Sequence, residues 1–237
     1  MKKTGLVIGL AAVACVAVSD VEKLLEQAKE EKGYAPLFSP DLSNAQLTEN
    51  MWHFEGDILQ PTPERVTKPL PPKTGKKKPR HPRDIWSTAK YGNFILDLEF
   101  KCTKDTNSGV FIRCVDIVQW LHTSMEVQIM QEPGKTPRNS IGAIYDCKAT
   151  DQKPAPNPLG EWNHYTVIVQ DNWIHVVLNG ELINSMDLDL WTEAGKNPDG
   201  SKNKFKTAYK DMAREGFVGL QYHGQPVWFR NVRIKTL

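Results

Sequence analysis

Several segments of the chain alternate apolar residues with charged or amide residues, a pattern typical of β-strands with one buried face. The charged and amide residues share the side of each strand that faces away from the core. If these strands neighbour one another in one sheet, its open face brings together carboxylates, an arginine, amides and a histidine. Such groups can bind a polar ligand and exchange protons with it. They are Asp97, Glu99, Arg113, Glu126, Gln128, Gln221 and His223.

The elements that must position these side chains are mostly strands. One amphipathic helix is predicted over Asp20 to Lys32, where apolar residues repeat at helical spacing. Asp171-Asn172 suits a two-residue hairpin turn. Many strands with little helix predict an all-β sandwich. The predicted strands are Phe94 to Cys102, Gly109 to Val115, Met125 to Met130, Trp162 to Gln170, Trp173 to Asn179, Gly216 to His223 and Val227 to Lys235.

The composition is that of a globular protein with an ordinary core. The chain has 237 residues, of which 40% are hydrophobic and 24% charged, so it is neither disordered nor fibrous. Four cysteines are too few for a disulfide scaffold. We expect a single domain over residues 20–237.

The first 19 residues read as a secretory signal peptide. Lys2 and Lys3 precede an uncharged apolar stretch that is too short to span a bilayer. A buried first strand is the alternative. Ala12-Val13-Ala14-Cys15 also resembles a lipoprotein cleavage site, which would anchor the chain through Cys15. We therefore expect a secreted protein of the periplasm or outer membrane.

Residues 61–84 form a Pro/Lys-rich insertion. They contain eight basic and seven proline residues. No aromatic residue is interleaved with the basic ones and the rest of the chain is acidic, which argues against nucleic-acid binding. We predict an exposed arm, since proline removes backbone donors and favours extended chain.

Eight short sequence motifs follow one another along the chain. They are Phe94 to Phe100, Asn107 to Arg113, Glu126 to Ile129, Gly142 to Tyr145, Gly160 to Asn163, Leu178 to Gly180, Gly219 to Gly224 and Phe229 to Lys235. Together they resemble the 3-keto-disaccharide hydrolase family, formerly a domain of unknown function. The resemblance covers about residues 33–237 and implies a concanavalin A-like jelly roll of two antiparallel sheets, a carbohydrate site on the concave face and an exported bacterial protein.

Two departures from the family's pattern stand out. Leu37-Phe38-Ser39-Pro40 replaces the usual Leu-Phe-Asn-Gly, and the insertion at 61–84 replaces a shorter, glycine-rich approach to the strand from Phe94. Either change could alter substrate choice at the rim of the site.

A ketone at C3 of a sugar acidifies the hydrogen on C2, so a base can remove it and the C1 substituent can leave before water adds. This chemistry needs a base, a cation for the enolate and an acid for the departing oxygen. We assign Glu126 as the base, Arg113 as the enolate stabiliser and His223 as the acid or a metal ligand. Residues expected to contact the sugar are Asn107, Gln128, Tyr145, Trp162, Gln221 and Glu99.

Three other interpretations are open. Direct hydrolysis by Glu99 and Glu126 is the rival mechanism. A non-catalytic carbohydrate-binding module would use the same face, with Glu126 and Arg113 paired to each other. An interaction protein would use the Pro/Lys arm to recruit an anionic partner.

Metal binding is not indicated, because the histidines lack the spacing of a zinc site. We expect no cofactor, although Asp199-Gly200 could contribute to a calcium loop. Some tryptophans near loops could stack on sugar rings. These are Trp52, Trp120, Trp162 and Trp191.

Overall fold

The structure is a computed structural model that describes residues 21–62, 83–132 and 134–237. The predicted signal peptide and all but the ends of the 61–84 insertion lie outside these residues. The chain divides into two compact units, residues 1–33 and 34–237. In the first unit residues 21–29 form a helix, α1, within the predicted range. No helix among the described residues is long and apolar enough to cross a membrane.

The described residues of the second unit form thirteen strands, and a four-residue helix, α2 (Trp120–Thr123), lies between the seventh and the eighth. The strands are β1 (Ala35–Pro36), β2 (Ala45–Gln46), β3 (Trp52–Glu55), β4 (Ile58–Pro61), β5 (Ile85–Tyr91), β6 (Phe94–Cys102), β7 (Ser108–Cys114), β8 (Met125–Ile129), β9 (Trp162–Gln170), β10 (Trp173–Leu178), β11 (Glu181–Asp187), β12 (Gly216–Leu220) and β13 (Val227–Thr236).

These strands form two antiparallel sheets. The eight-stranded sheet has the order β11-β10-β9-β6-β13-β4-β3, with β1 paired to β13, and the five-stranded sheet has the order β2-β5-β12-β7-β8. Alternate residues of both sheets, such as Leu98 of β6 and Val127 of β8, are fully buried in one shared core. The inner faces therefore pack on each other, and the predicted jelly-roll sandwich is confirmed.

The sheet assignment corrects one expectation from the sequence. Strand β6, which carries Asp97 and Glu99, belongs to the eight-stranded sheet, whereas β7, β8 and β12 belong to the five-stranded sheet. The polar residues therefore divide between two outer faces that lie on opposite sides of the sandwich. Alternation fixes which face of a strand is polar, but strand order depends on contacts that are distant in sequence.

A bulge in β7 changes the direction of one predicted site residue. Three residues of β12, Phe217 to Gly219, pair with four residues of β7, Phe111 to Cys114. Arg113 has φ +52°, so alternation breaks there and Cys114 packs with Phe111 on the outer face. The Arg113 side chain consequently leaves the face on which the sequence pattern placed it.

Candidate active site on the five-stranded sheet

The outer face of the five-stranded sheet, here called the five-stranded face, carries two rows of side chains that run across the strands. The register defines the rows through pairs such as Phe111 with Glu126 and Gly109 with Gln128. The Glu126 row consists of Trp86, Gly219, Phe111, Glu126 and Tyr145. The Gln221 row consists of Asp84, Gln221, Gly109 and Gln128.

Each row contains a glycine, and the side chain of a residue on a neighbouring strand lies over that glycine. A Cβ atom on Gly109 would lie 2.5 Å from Glu126 Oε1, and one on Gly219 would lie 2.5 Å from Trp86 Cε3. The Glu126 side chain therefore extends from its own row over Gly109 toward Gln221. Any larger residue at position 109 would collide with it. Trp86 lies over Gly219 and stacks on Phe111, with ring centroids 4.9 Å apart.

Two buried carboxyl groups, Asp84 and Glu126, meet on this face. Burial raises the pKa of Glu126 to about 8, and the negative charge of Asp84 raises it further. Burial likewise raises the pKa of Asp84 to about 7, although Asp84 Oδ1 accepts a 2.9 Å hydrogen bond from the backbone N–H of Tyr222. Near neutral pH Glu126 therefore keeps its proton for most of the time, whereas Asp84 is partly ionised. Such a pair can accept one proton and donate another.

Amide side chains border this carboxyl pair. A hydrogen bond from the Gln221 side chain helps stabilise ionised Glu126, and Gln221 Oε1 is buried without a hydrogen-bond partner among the described residues. Gln128 Nε2 donates to Asn107 Oδ1 at 2.8 Å and to the carbonyl of Ser108 at 2.8 Å. These bonds hold Asn107 and Gln128 in fixed orientations, and Gln221 Oε1 can accept from a sugar hydroxyl.

A cation reaches the edge of the face from the loop between β11 and β12. Lys204 Nζ donates to the Tyr145 hydroxyl at 2.6 Å and lies 4.3 Å from the centre of that ring. Tyr145 neighbours Glu126, whose carbonyl accepts a 2.9 Å hydrogen bond from the Tyr145 N–H. The Lys204 charge lowers the pKa of Glu126 against the effects of burial and of Asp84.

The structure thus brings together five of the nine residues that the sequence singles out. These are Glu126, Gln128, Gln221, Asn107 and Tyr145.

Arg113 lies elsewhere, because the β7 bulge turns it toward two hairpin turns. It donates to the carbonyls of Gly92 and Asp171, at 2.9 Å and 2.7 Å, and to Asn93 Oδ1 at 3.1 Å. Its guanidinium joins the β5–β6 turn to the β9–β10 turn, which corrects the role in enolate binding assigned to it from the sequence.

Glu99 and Trp162 lie on the outer face of the eight-stranded sheet, on the opposite side of the sandwich from Glu126. Glu99 accepts from Arg230 Nε at 2.7 Å and from Asn231 Nδ2 at 2.7 Å. Arg230 stacks 4.2 Å from the Trp162 ring. Glu99 therefore cannot pair with Glu126, and Trp162 cannot contact a sugar held beside Glu126.

His223 is exposed in the β12–β13 loop, two residues beyond Gln221. Of the other tryptophans, Trp52 and Trp191 are buried, whereas Trp120 of α2 covers Phe111 with a centroid separation of 4.6 Å. Among these three tryptophans, Trp120 is therefore the one that borders the five-stranded face, where it could stack on a sugar ring.

The described residues contain no group of three or more His, Cys, Asp and Glu side chains that could hold a metal ion. Asp199 Oδ1 accepts from the Ser201 N–H at 3.0 Å, and its other oxygen forms an ion pair with Arg138. Its carboxylate is therefore engaged within a turn.

Sequence reasoning misses Asp84 and Lys204. Asp84 ends the Pro/Lys insertion and falls within the predicted exposed arm, although the following Ile85-Trp86 starts β5. Continuing the alternation backward from Trp86 would place Asp84 on the outer face. No local signal distinguishes Lys204 from its neighbours in a lysine-rich loop.

The position of Gly109 predicts that Gly109→Ala displaces the Glu126 carboxylate. We expect kcat to fall about 100-fold, since misplacing a reacting group by an ångström has effects of that size. Steady-state kinetics measures this, with circular dichroism to check folding. Gly92→Ala is the control for a glycine replaced without collision, because a Cβ atom added there would meet only the Arg214 carbonyl oxygen, at 3.5 Å. Unchanged kcat in Gly109→Ala would show that the position of Glu126 does not matter.

The fold and this site together define a two-sheet β-sandwich protein with buried carboxyl and amide side chains on one outer face. Comparison with known families specifies it further: the chain belongs to the family of 3-keto-alpha-glucoside-1,2-lyase-like domains, whose model matches residues 40–235. The resemblance seen in the sequence is thereby confirmed.

Individual relatives agree with this assignment. A 3-keto-disaccharide hydrolase of Bacteroides thetaiotaomicron is 28% identical over 182 residues, which cover 65% of this chain and 62% of that protein. The chain thus spans less than two thirds of that relative's length. The crystal structure of a candidate glycosyl hydrolase from Parabacteroides distasonis is 32% identical, with a TM-score of 0.73 over 86% of this chain and 99% of that one. A second structure from that organism, 22% identical with a TM-score of 0.65, covers 90% of this chain and 97% of that one and supports the fold.

Proposed function

We propose that the protein cleaves 3-keto-glycosides by elimination and hydration on the five-stranded face. The observation that carries the proposal is that the buried carboxyl groups of Asp84 and Glu126 flank the Gln221 amide, whose Oε1 has no hydrogen-bond partner among the described residues. The family's description as a 1,2-lyase and the name of the Bacteroides relative are consistent with this reaction.

Position assigns the two carboxyl groups different roles. Glu126 is the group on which the Lys204 charge acts, and an enolate forms next to the carbon that loses its proton. We therefore keep Glu126 as the base at C2. Asp84, on the far side of Gln221, replaces His223 as the acid for the departing oxygen. Because the pKa of Glu126, about 8, lies above that of Asp84, about 7, the reactive form with Glu126 ionised and Asp84 protonated is the less populated one. The Lys204 charge and the Gln221 hydrogen bond shift the equilibrium toward that form.

The reaction then proceeds in balanced steps. Glu126 takes the C2 proton, and the electron pair of that bond forms an enolate with O3. The C3 carbonyl re-forms, a C1–C2 double bond appears, the C1–O bond breaks, and the leaving oxygen takes the proton of Asp84. Water adds its hydroxyl to C1 while Asp84 accepts the other water proton, and Glu126 returns a proton to C2. The net result is hydrolysis.

The arrangement favours this reaction over the alternatives. Direct hydrolysis by Glu99 and Glu126 would need both carboxylates on one side of the sandwich. A binding module is expected to pair Glu126 with Arg113, whereas Arg113 binds the two hairpin turns.

The test is binding and turnover on disaccharides and their 3-keto derivatives, with Glu126→Gln as the comparison. We expect wild type to cleave the keto sugars alone, and the variant to bind them without cleavage. Binding by both proteins with turnover by neither, with and without added divalent metal, would overturn the enzymatic proposal in favour of a binding module.

A change of leaving group distinguishes the role of the acid, Asp84, from that of the base, Glu126. With a 4-nitrophenyl 3-keto-glucoside, whose leaving oxygen needs no proton, we expect Asp84→Asn to recover to within about tenfold of wild type. Glu126→Gln should stay inactive, since C2 must still lose its proton. Equal recovery of both variants would contradict the assignment of roles.

We further propose that the protein is exported by the signal at residues 1–19 and that its partner is a carbohydrate alone. Anchoring through an acylated Cys15 is tested by palmitate labelling, which should modify the wild-type protein and not Cys15→Ser. The steps above call for no cofactor, and equal rates in EDTA and in calcium are the expected result.

A further inference from the structure

The charge that develops on O3 of the substrate needs a positive group, and this inference rests on the proposed function. Arg113 is engaged with the hairpin turns, so the cation must come from another element. Arg83 adjoins Asp84 and lowers the pKa of that carboxyl group, whereas the Lys204 ammonium is held beside the row that contains Glu126 and lowers the pKa of Glu126.

The loop around Lys204 is fixed on both sides. Asn203 Nδ2 donates to Asn197 Oδ1 at 2.9 Å, and the same oxygen accepts from Trp191 Nε1 at 3.0 Å. Phe205 is buried in the core. The Lys204 N–H donates to Asp146 Oδ2 at 3.0 Å, next to Tyr145 in the chain. The lysine therefore starts from an anchored backbone although its side chain is exposed.

The partner of the ammonium is also informative. Lys204 forms no ion pair with a carboxylate of the described residues, and its hydrogen bond goes to the neutral Tyr145 hydroxyl. An ammonium has three donors, and a phenol oxygen can accept from it while donating its own proton elsewhere. The pair thus presents two donors next to Glu126 with the lysine charge unneutralised.

We propose that Lys204 and Tyr145 are catalytic residues that bind O3 of the 3-keto sugar and stabilise the enolate formed when Glu126 removes the C2 proton. No proton needs to move in this step, since the ammonium and the hydroxyl donate hydrogen bonds to the oxygen as it gains charge. Donors placed in advance at a developing oxyanion contribute about 100-fold to 1000-fold each in rate.

The test compares Lys204→Met with Lys206→Met, an exposed lysine of the same loop, on a 3-keto-glucoside with hydrogen or deuterium at C2. We expect Lys204→Met to lower kcat by about 100-fold or more with a smaller change in KM, and to enlarge the C2 isotope effect. Lys204→Arg should recover part of the rate, Tyr145→Phe should also lower kcat by about 100-fold, and Lys206→Met should match wild type.

The pH profile provides a readout that a merely structural role would not change. Because the Lys204 charge lowers the pKa of Glu126, its loss should move the acidic limb of kcat/KM to higher pH. Wild-type kcat and an unchanged isotope effect in Lys204→Met, while Glu126→Gln is inactive, would overturn this inference and leave the proposed function intact. Absence of turnover in wild type would overturn both.

Discussion

Glu126→Gln and Asp84→Asn are expected to abolish cleavage of 3-keto disaccharides while making the folded protein more stable at pH 8. Each variant loses one member of the Asp84–Glu126 pair, so kcat should fall by about 1000-fold or more. The amide also removes an ionisable group from a buried site, which stabilises the fold wherever the carboxyl would have to ionise.

The sign of the stability change follows from the shifted pKa of Glu126, which burial raises from 4.5 to about 8. Between these values the folded state binds more protons than the unfolded state, so wild-type stability falls as pH rises through this window. Glu126→Gln removes that fall and should gain about 4 kcal/mol at pH 8 but nothing at pH 4.

Thermal unfolding at both pH values, run beside kinetics, measures the two effects. Glu161→Gln, at an exposed carboxylate, is the matched control and should change neither. Loss of activity with equal destabilisation at both pH values would mean that Glu126 serves the fold rather than the reaction.

In contrast to the two carboxyl variants, Arg113→Met is expected to lose much of its stability while kcat per folded molecule stays nearly unchanged. The guanidinium is buried and donates to two turns, so its removal leaves the carbonyls of Gly92 and Asp171 without their partner. Breaking a buried, charged hydrogen-bond set costs about 3–5 kcal/mol.

Denaturant unfolding measures the loss of stability, and kinetics normalised to the amount of folded protein measure kcat. Arg138→Met, which breaks a partly exposed ion pair with Asp199, should cost less than about 1 kcal/mol. Unchanged stability with a collapse of kcat in Arg113→Met would restore the role in enolate binding that the sequence pattern indicates.

Local patterns predict much of the fold and the polar side of the site. Alternation locates β6 to β10, β12 and β13, and it places Glu126, Gln128 and Gln221 on outward faces. It misses β1 to β5 and β11. Strands β1 to β4 have only two to four residues, too few for alternation to show, and the proline-rich segment before Ile85 obscures where β5 begins.

The failures have physical causes that a local pattern does not contain. The pattern groups Glu99 with Glu126 because alternation does not specify which strands share a sheet. It misplaces Arg113 because a bulge shifts the alternation by one residue. It misses Lys204 because the position of that side chain depends on the distant partners Asp146 and Tyr145, which no spacing in the loop reveals.

The most direct test of the central claim follows hydrogen at C2 of the sugar. The wild-type enzyme is given a 3-keto disaccharide in D₂O, and NMR measures deuterium at C2 of the released 3-keto sugar, with product incubated with Glu126→Gln as the control for spontaneous exchange. Elimination and hydration by the Asp84–Glu126 pair predict deuterium at C2 of the product beyond the control. Cleavage that leaves the original C2 hydrogen in place and shows no kinetic isotope effect on a substrate with deuterium at C2 would show direct hydrolysis and contradict the mechanism. Return of the same proton by Glu126 would still produce the isotope effect.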